Sequence, residues 1–291
     1  DTGFILNFGA DSSFAGNKTP QGNQDANGIG DFYYAPPSGF LALCTANLPS
    51  VDVIPSEHFN TVTYAGTGIA RDITNVGFQS DLVWLKSRNA ALDHRLHDSV
   101  RGATLSLKSN GADAEADTST FIVTDFITDG FSVGTGGGAN ASGNTYVAWN
   151  WKAGGTAVSN TDGTITSSVS ANVDAGFSIV SYTGTGVVST VGHGLSKAPD
   201  MLIVKGRDAG VNWFVYHSGN TSAPETENLR LNLTNATADS LTYWNDTLPT
   251  SSVFTLGTTT GINASSEAFI TYAFHSVDGY SKVGTYVGNG N

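Results

Sequence analysis

Two short runs carry the side chains most able to do chemistry. His94 and His97 lie in the stretch Asp93-His94-Arg95-Leu96-His97-Asp98. A metal ion would need such ligands to converge. On a strand, positions three apart point to opposite faces. A matching run later in the chain has Trp213 and Tyr216 at these places. The histidines therefore read as turn or surface residues, and no metal is expected. Lys86 with Arg88, and Lys205 with Arg207, recur at two-residue spacing, which puts each pair on one strand face. Such pairs could hold an acidic sugar or a phosphate. The plainer reading is a salt bridge to Asp81 and Asp200, which open the same runs, or a solvated face. Tryptophans 84, 149, 151, 213 and 244 could stack on sugars. However, Trp149 and Trp151 face Tyr272 and Phe274 in the matching run, and constant aromatic bulk marks a core layer. Trp244, in the loop-like Tyr243-Trp244-Asn245-Asp246-Thr247, is the freest for contact. The candidate glycan-contact residues are therefore Trp244, Lys86, Arg88, Lys205 and Arg207.

Catalytic signatures are missing. The glutamates are Glu57, Glu115, Glu225, Glu227 and Glu267, and none recurs at matching positions as a paired carboxylate would. The glycine-rich run Gly134–Gly143 lacks the Gly-Lys-Ser/Thr ending of a phosphate loop. Its later counterpart keeps Asn-Ala-Ser (Asn140 to Ser142 against Asn263 to Ser265), which reads as a turn feeding the next strand. Asn-x-Ser/Thr sequons there and at Asn220, Asn232, Asn235 and Asn245 matter only in a glycosylating secretory route. Cys44, the one cysteine, sits in Leu41-Ala42-Leu43-Cys44, where a small buried hydrophobe is expected. No enzyme activity and no cofactor are expected.

Composition narrows the partners. The net charge is −12, with 13 Lys+Arg scattered among 291 residues. Nucleic acid and anionic membranes call for a clustered basic face instead. No apolar run is long enough to span a membrane. A surface rich in Gly, Ser, Thr and Asn suits exposure outside a cell or on a particle.

The elements that hold these residues repeat. Phe59 to Gly68 (FNTVTYAGTG) matches Phe177 to Gly186 (FSIVSYTGTG). Asp81 to Arg88 matches Asp200 to Arg207, and His94 to Ser99 matches Trp213 to Ser218. Phe131 to Lys152 matches Phe254 to His275. The order is the same in both sets, as in a duplicated domain. Alternating apolar residues, Asp-Gly turns at 129–130, 162–163 and 278–279, and the lack of a long amphipathic helix predict strands. The expected fold is all-β, with tandem β-sandwich (jelly-roll-like) repeats over 51–153 and 177–279. Residues 154–176 read as a linker with a weak hairpin. Residues 280–291 (Tyr280 to Gly290, YSKVGTYVGNG) read as the first strand of a third copy.

Residues 1–50 fit neither copy. Their pattern of Asn7-Phe8-Gly9, Phe32-Tyr33-Tyr34, Pro36-Pro37-Ser38-Gly39-Phe40 and Leu41-Ala42-Leu43 resembles the closing strands of SPRY-type and concanavalin-like jelly rolls. With the tandem modules behind it, the chain resembles virion proteins of tailed bacteriophages. That resemblance implies a non-catalytic structural and display segment of a larger tail fibre or surface appendage. Its partners would be other virion subunits, with homo-oligomerisation, and host surface glycans, at the extracellular surface of the particle. The alternatives are a head decoration or other virion protein, and a carbohydrate-binding array of a secreted bacterial enzyme.

Overall fold

The structure, a computed structural model, describes residues 22–30, 32, 34–42, 47 and 53–290. The chain divides into two compact units, Asp1–Asp52 and Val53–Asn291. In the first unit, Asp25 organises the described residues. Its carboxylate accepts N–H bonds from Asn27, Ile29 and Ala42 and from the Asn47 amide. Burial opposes its charge, but these donors outweigh burial and pull its pKa to about 2. One isolated bridge, Asn23 with Phe32, is the strand pairing among the described residues there. Pro37 to Phe40 forms a turn closed by the Phe40 N–H on the Pro37 carbonyl at 3.0 Å. Asn7 to Gly9, Tyr33, Leu43 and Cys44 lie outside the described residues.

The second unit is all-β. Its first part contains β1 (Phe59–Ala65), β2 (Arg71–Ile73), β3 (Leu82–Ser87), β4 (Arg95–Asp98), β5 (Gly102–Leu107), β6 (Ala116–Asp117), β7 (Val123–Ile127), β8 (Gly130–Val133), the one-turn α1 (Gly137–Asn140) and β9 (Thr145–Trp151). Its second part contains β10 (Val158–Asn160), β11 (Ser167–Asn172), β12 (Phe177–Thr183), β13 (Ser189–Gly192), β14 (Met201–Gly206), β15 (Phe214–His217), β16 (Glu227–Arg230), β17 (Ala238–Asp239), α2 (Leu241–Trp244), β18 (Val253–Leu256), α3 (Thr260–Asn263) and β19 (Ala268–Phe274). Every ladder is antiparallel.

The large sheets run β1-β9-β3-β4-β5-β6 and β10-β11-β12-β19-β14-β15-β16-β17. From β12 onward, the second repeats the pairing order of the first. Each large sheet is backed by a small one, β2-β8-β7 or β13-β18. The cores show how the sheets stack. Val83, Leu85, Tyr146 and Ala148 meet Ile73, Phe131 and Val133 of the first small sheet. Val180, Leu202, Phe269 and Ala273 meet Val191, Phe254 and Leu256 of the second. A third core joins Leu82, Leu96 and Leu107 to Ile179, Ile203, Ile270 and Tyr272, so the large sheets pack back to back. The result is four layers.

Two expected boundaries change. Residues 154–176 hold the expected hairpin, β10 with β11 around Asp162-Gly163, but are no linker, because β11 also pairs with β12 and so widens the second sheet. Its small and β-branched side chains alternate well enough to join a ladder whose neighbour supplies the apolar face. Residues 282–290 form no strand: one bridge, Val277 with Ser281, precedes them, and Tyr286 is exposed. Val283 is half-buried and its N–H bonds the Ser276 hydroxyl, but Tyr286 and Val287 beyond it are exposed.

The Asn-Ala-Ser segments do the same work twice. The fully buried Asn140 amide donates to the carbonyls of Ile69 and Gly134, and its oxygen accepts from the Thr67 N–H. Asn263 likewise donates to Val187 and Gly257 and accepts from Thr185. Each asparagine ties the Gly-Thr-Gly turn after one strand to the turn after another. Gly66 and Gly184 allow the approach, since a Cβ there would sit 2.1 Å from the Ala141 carbonyl oxygen or 2.3 Å from that of Ala264. Asn140→Ala takes away the partner of the Gly134 carbonyl and of the Thr67 N–H, while the Ile69 carbonyl keeps the Thr67 hydroxyl. It should lower the unfolding free energy by about 2–4 kcal/mol in urea titration, and Asn263→Ala should cost a similar amount. An unchanged midpoint for both would remove this role.

Candidate functional site

The densest polar cluster lies in the seam between the two large sheets. The β4–β5 hairpin turn aims Arg101 into it. Its Nε donates to Asp98 at 2.5 Å and Nη1 to Glu115 at 2.8 Å. Its remaining donors reach the carbonyls of Leu105 and Leu96. From the other sheet, the Tyr272 hydroxyl donates to Asp98 at 2.7 Å, and Arg207 grips Glu115 at 2.7 Å. The side chains of Arg101 and Asp98 are fully buried. Burial disfavours the guanidinium, but the Asp98 charge, with Glu115 behind it, outweighs this and raises the Arg101 pKa. Burial likewise disfavours the Glu115 carboxylate, and its bonds to Arg207 and the charge of Arg101 hold its pKa below the usual value. Desolvation pushes the Tyr272 phenol up. A carboxylate locked between two guanidiniums is a fastener.

The sequence candidates separate. Trp244 is a correction: it is 2% exposed, stands edge-on to Tyr216, and its indole N–H donates to the Glu227 carbonyl. The polar neighbours that suggested a loop, Asn245 and Asp246, take left-handed conformations and turn the chain away while the ring stays inside. Lys205 is fully buried, and its ammonium bonds the carbonyls of Gly206 and Ala112. Desolvation lowers its pKa to about 8 against the pull of Asp113 and Glu115. Lys86 makes the matching bonds to Ser87 and Ala90. The lysines thus clamp the turn after their strands. Arg207 pairs with Glu115 and not with Asp200, whose carboxylate accepts from Ser276 instead. Asp81 accepts the Ala153 N–H. Arg88 is exposed and forms no ion pair among the described residues.

The histidines do not converge. His97 is buried, with Nδ1 2.7 Å from the Ala103 carbonyl, and desolvation lowers its pKa to about 3. His94 accepts the Trp84 indole N–H at 2.9 Å. Burial, then the Lys86 charge, lowers its pKa, which suits a neutral acceptor. No group of three or more metal-ligating side chains occurs among the described residues. Trp213 is fully buried and stacks on Tyr272. Trp151 is half-buried and meets Phe177 and Phe274 at the seam. Trp149 is half-buried and belongs to none of the three cores.

Removing one partner from a buried ion pair strands the other. Arg101→Met should therefore cost about 3–5 kcal/mol in urea unfolding, and Tyr272→Phe about 1 kcal/mol. A near-neutral Arg101→Met would show that the seam does not depend on the pair. Acid should also loosen the fold. His97 stays neutral in the fold down to about pH 3, whereas the unfolded chain protonates it near its ordinary 6.5. Protons therefore favour the unfolded chain as pH falls from 6.5 towards 3, and the depressed Glu115 adds to this in the carboxylate range. The melting temperature should drop across that window, and less steeply in His97→Gln.

Residues 54–291 match the family model described as a domain of unknown function, DUF7483. No curated protein matches the chain, and no solved structure matches it. The match covers all but the start of the sequence, and the chain therefore belongs to the DUF7483 family.

Proposed function

We propose that the chain is a non-catalytic structural and display segment of a larger virion protein, a tail fibre or similar appendage of a tailed bacteriophage. The observation that carries this reading is the seam. The charged groups that could have served chemistry (Asp98, Arg101, Glu115, Lys205 and Arg207) are spent on fastening two sheets into one block. A rigid β block with polar loops suits spacing and presentation on a particle. Its partners would be neighbouring virion subunits, further copies of the chain and host surface glycans, at the extracellular surface of the particle.

One observation favours a second reading, a carbohydrate-binding array attached to a secreted bacterial enzyme: Trp84 and Trp149 are half-buried direct neighbours on one sheet face. The two readings part on where the native polypeptide resides. Peptides of this chain should be found by mass spectrometry in purified virions, and an antibody against residues 53–291 should decorate an appendage in electron micrographs. Recovery of the chain fused to a catalytic domain in culture medium, and not in particles, would replace the first reading with the second.

A further inference from the structure

Equivalent faces of the two large sheets meet different fates. In the second, Ile179, Tyr272 and Ile203 form one cross-strand row, followed by Ser181, Ile270 and Lys205. The first sheet carries all the covering groups. Tyr272 and Ile270 are sealed in the seam, Lys205 bonds the Ala112 carbonyl, and Arg207 takes the Glu115 carboxylate through Nη2 at 2.7 Å and Nε at 3.0 Å. The matching rows of the first sheet are Thr61, Trp149 and Trp84, then Thr63, Val147 and Lys86. Here Thr61 and Thr63 are exposed, and Trp149, Trp84, Val147 and Lys86 are half-buried. Arg88, in the place of Arg207, has no carboxylate partner among the described residues.

We propose that this open face binds carboxylated oligosaccharides, with Arg88 taking the sugar carboxylate as Arg207 takes Glu115. The inference deepens the glycan contact in the proposed function and rests on that reading. Three features select the ligand. A guanidinium with no ion pair among the described residues, in a chain of net charge −12, is a local cation matched to a carboxylate, which it binds through two parallel N–H bonds. Trp84 and Trp149 lie side by side, and packing against the edge of the seam core together with the bond to His94 fixes the Trp84 ring in place. Such rings pack on the apolar faces of sugars while Thr61 and Thr63 offer hydroxyls at the edge. Arg88 lies four positions after Trp84, about 13 Å along an extended chain, so the ligand must be an oligomer. A second copy of the chain fits less well. The seam between the sheets is built on Ile179, Ile203 and Ile270, and the open face has Thr61, Trp149 and Val147 instead. Two chains of the same charge also repel.

The test uses the whole 291-residue chain. Trigalacturonate, a hyaluronan tetrasaccharide and sialyllactose are each titrated against tryptophan emission and by calorimetry, with maltotriose as the neutral control. At least one acidic oligomer should bind more tightly than maltotriose, and its affinity should fall with salt. Arg88→Gln should lower that affinity about tenfold, to the neutral level. Trp149→Ala should abolish binding and Trp149→Phe restore part of it, with melting temperatures confirming that each variant is folded. The proposal falls if none of the three acidic oligomers binds at millimolar concentration. It falls equally if Arg88→Gln and Trp149→Ala bind as the unaltered chain does. Self-association in sedimentation that Arg88→Glu abolishes would give the face to a second copy. Failure here leaves the virion reading standing, because that depends on where the chain is found.

Discussion

The buried guanidinium of Arg101 is the constraint from which the rest of the molecule follows. A charge without water must be met on every donor. Arg101 meets this demand with Asp98 from its own hairpin, Glu115 from the following loop and the main-chain carbonyls of Leu96 and Leu105. Two of these partners are themselves shared with the other sheet, Asp98 with Tyr272 and Glu115 with Arg207. The network therefore fixes register across the seam as well as closing it. Apolar contact alone would let the two sheets slide; a directional set of bonds does not. Holding a register is the best-attested use of buried polar groups.

The seam also explains why two sandwiches share one compact unit. Leu82, Leu96 and Leu107 on one sheet and Ile179, Ile203 and Ile270 on the other bury their faces in one shared core. Each large sheet has its own small sheet on the far side, so each half closes one core alone and needs its neighbour for the other. Interdependence of this sort is what separates a fused pair from beads on a thread.

Much of the architecture was legible in the residues. The alternation in Phe59–Ala65 and Phe177–Thr183, the Asp-Gly turns and the matched order of segments pointed to an all-β chain, and β1 and β12 fall on that alternation, whereas the strand expected after Tyr280 does not form. The seam was not legible. Arg101 faces Asn220 in the second copy, and Glu115 lies in a loop outside the matched blocks, so similarity between copies passed over both. The signal was in the differences: an unmatched arginine between matched strands, and Ile179 against Thr61. Trp244 misled for a related reason. Local polarity describes where the backbone goes, whereas a large ring can reach inward from a polar stretch.

The uneven covering of two equivalent faces divides the freedom of the chain to vary. A substitution at Ile179, Ile203 or Ile270 meets the other half of the molecule and must preserve volume. A substitution at Thr61 or Thr63 meets only solvent. One large sheet is thereby committed as a keystone, and the other is left as a surface on which new contacts can be tried without endangering the fold.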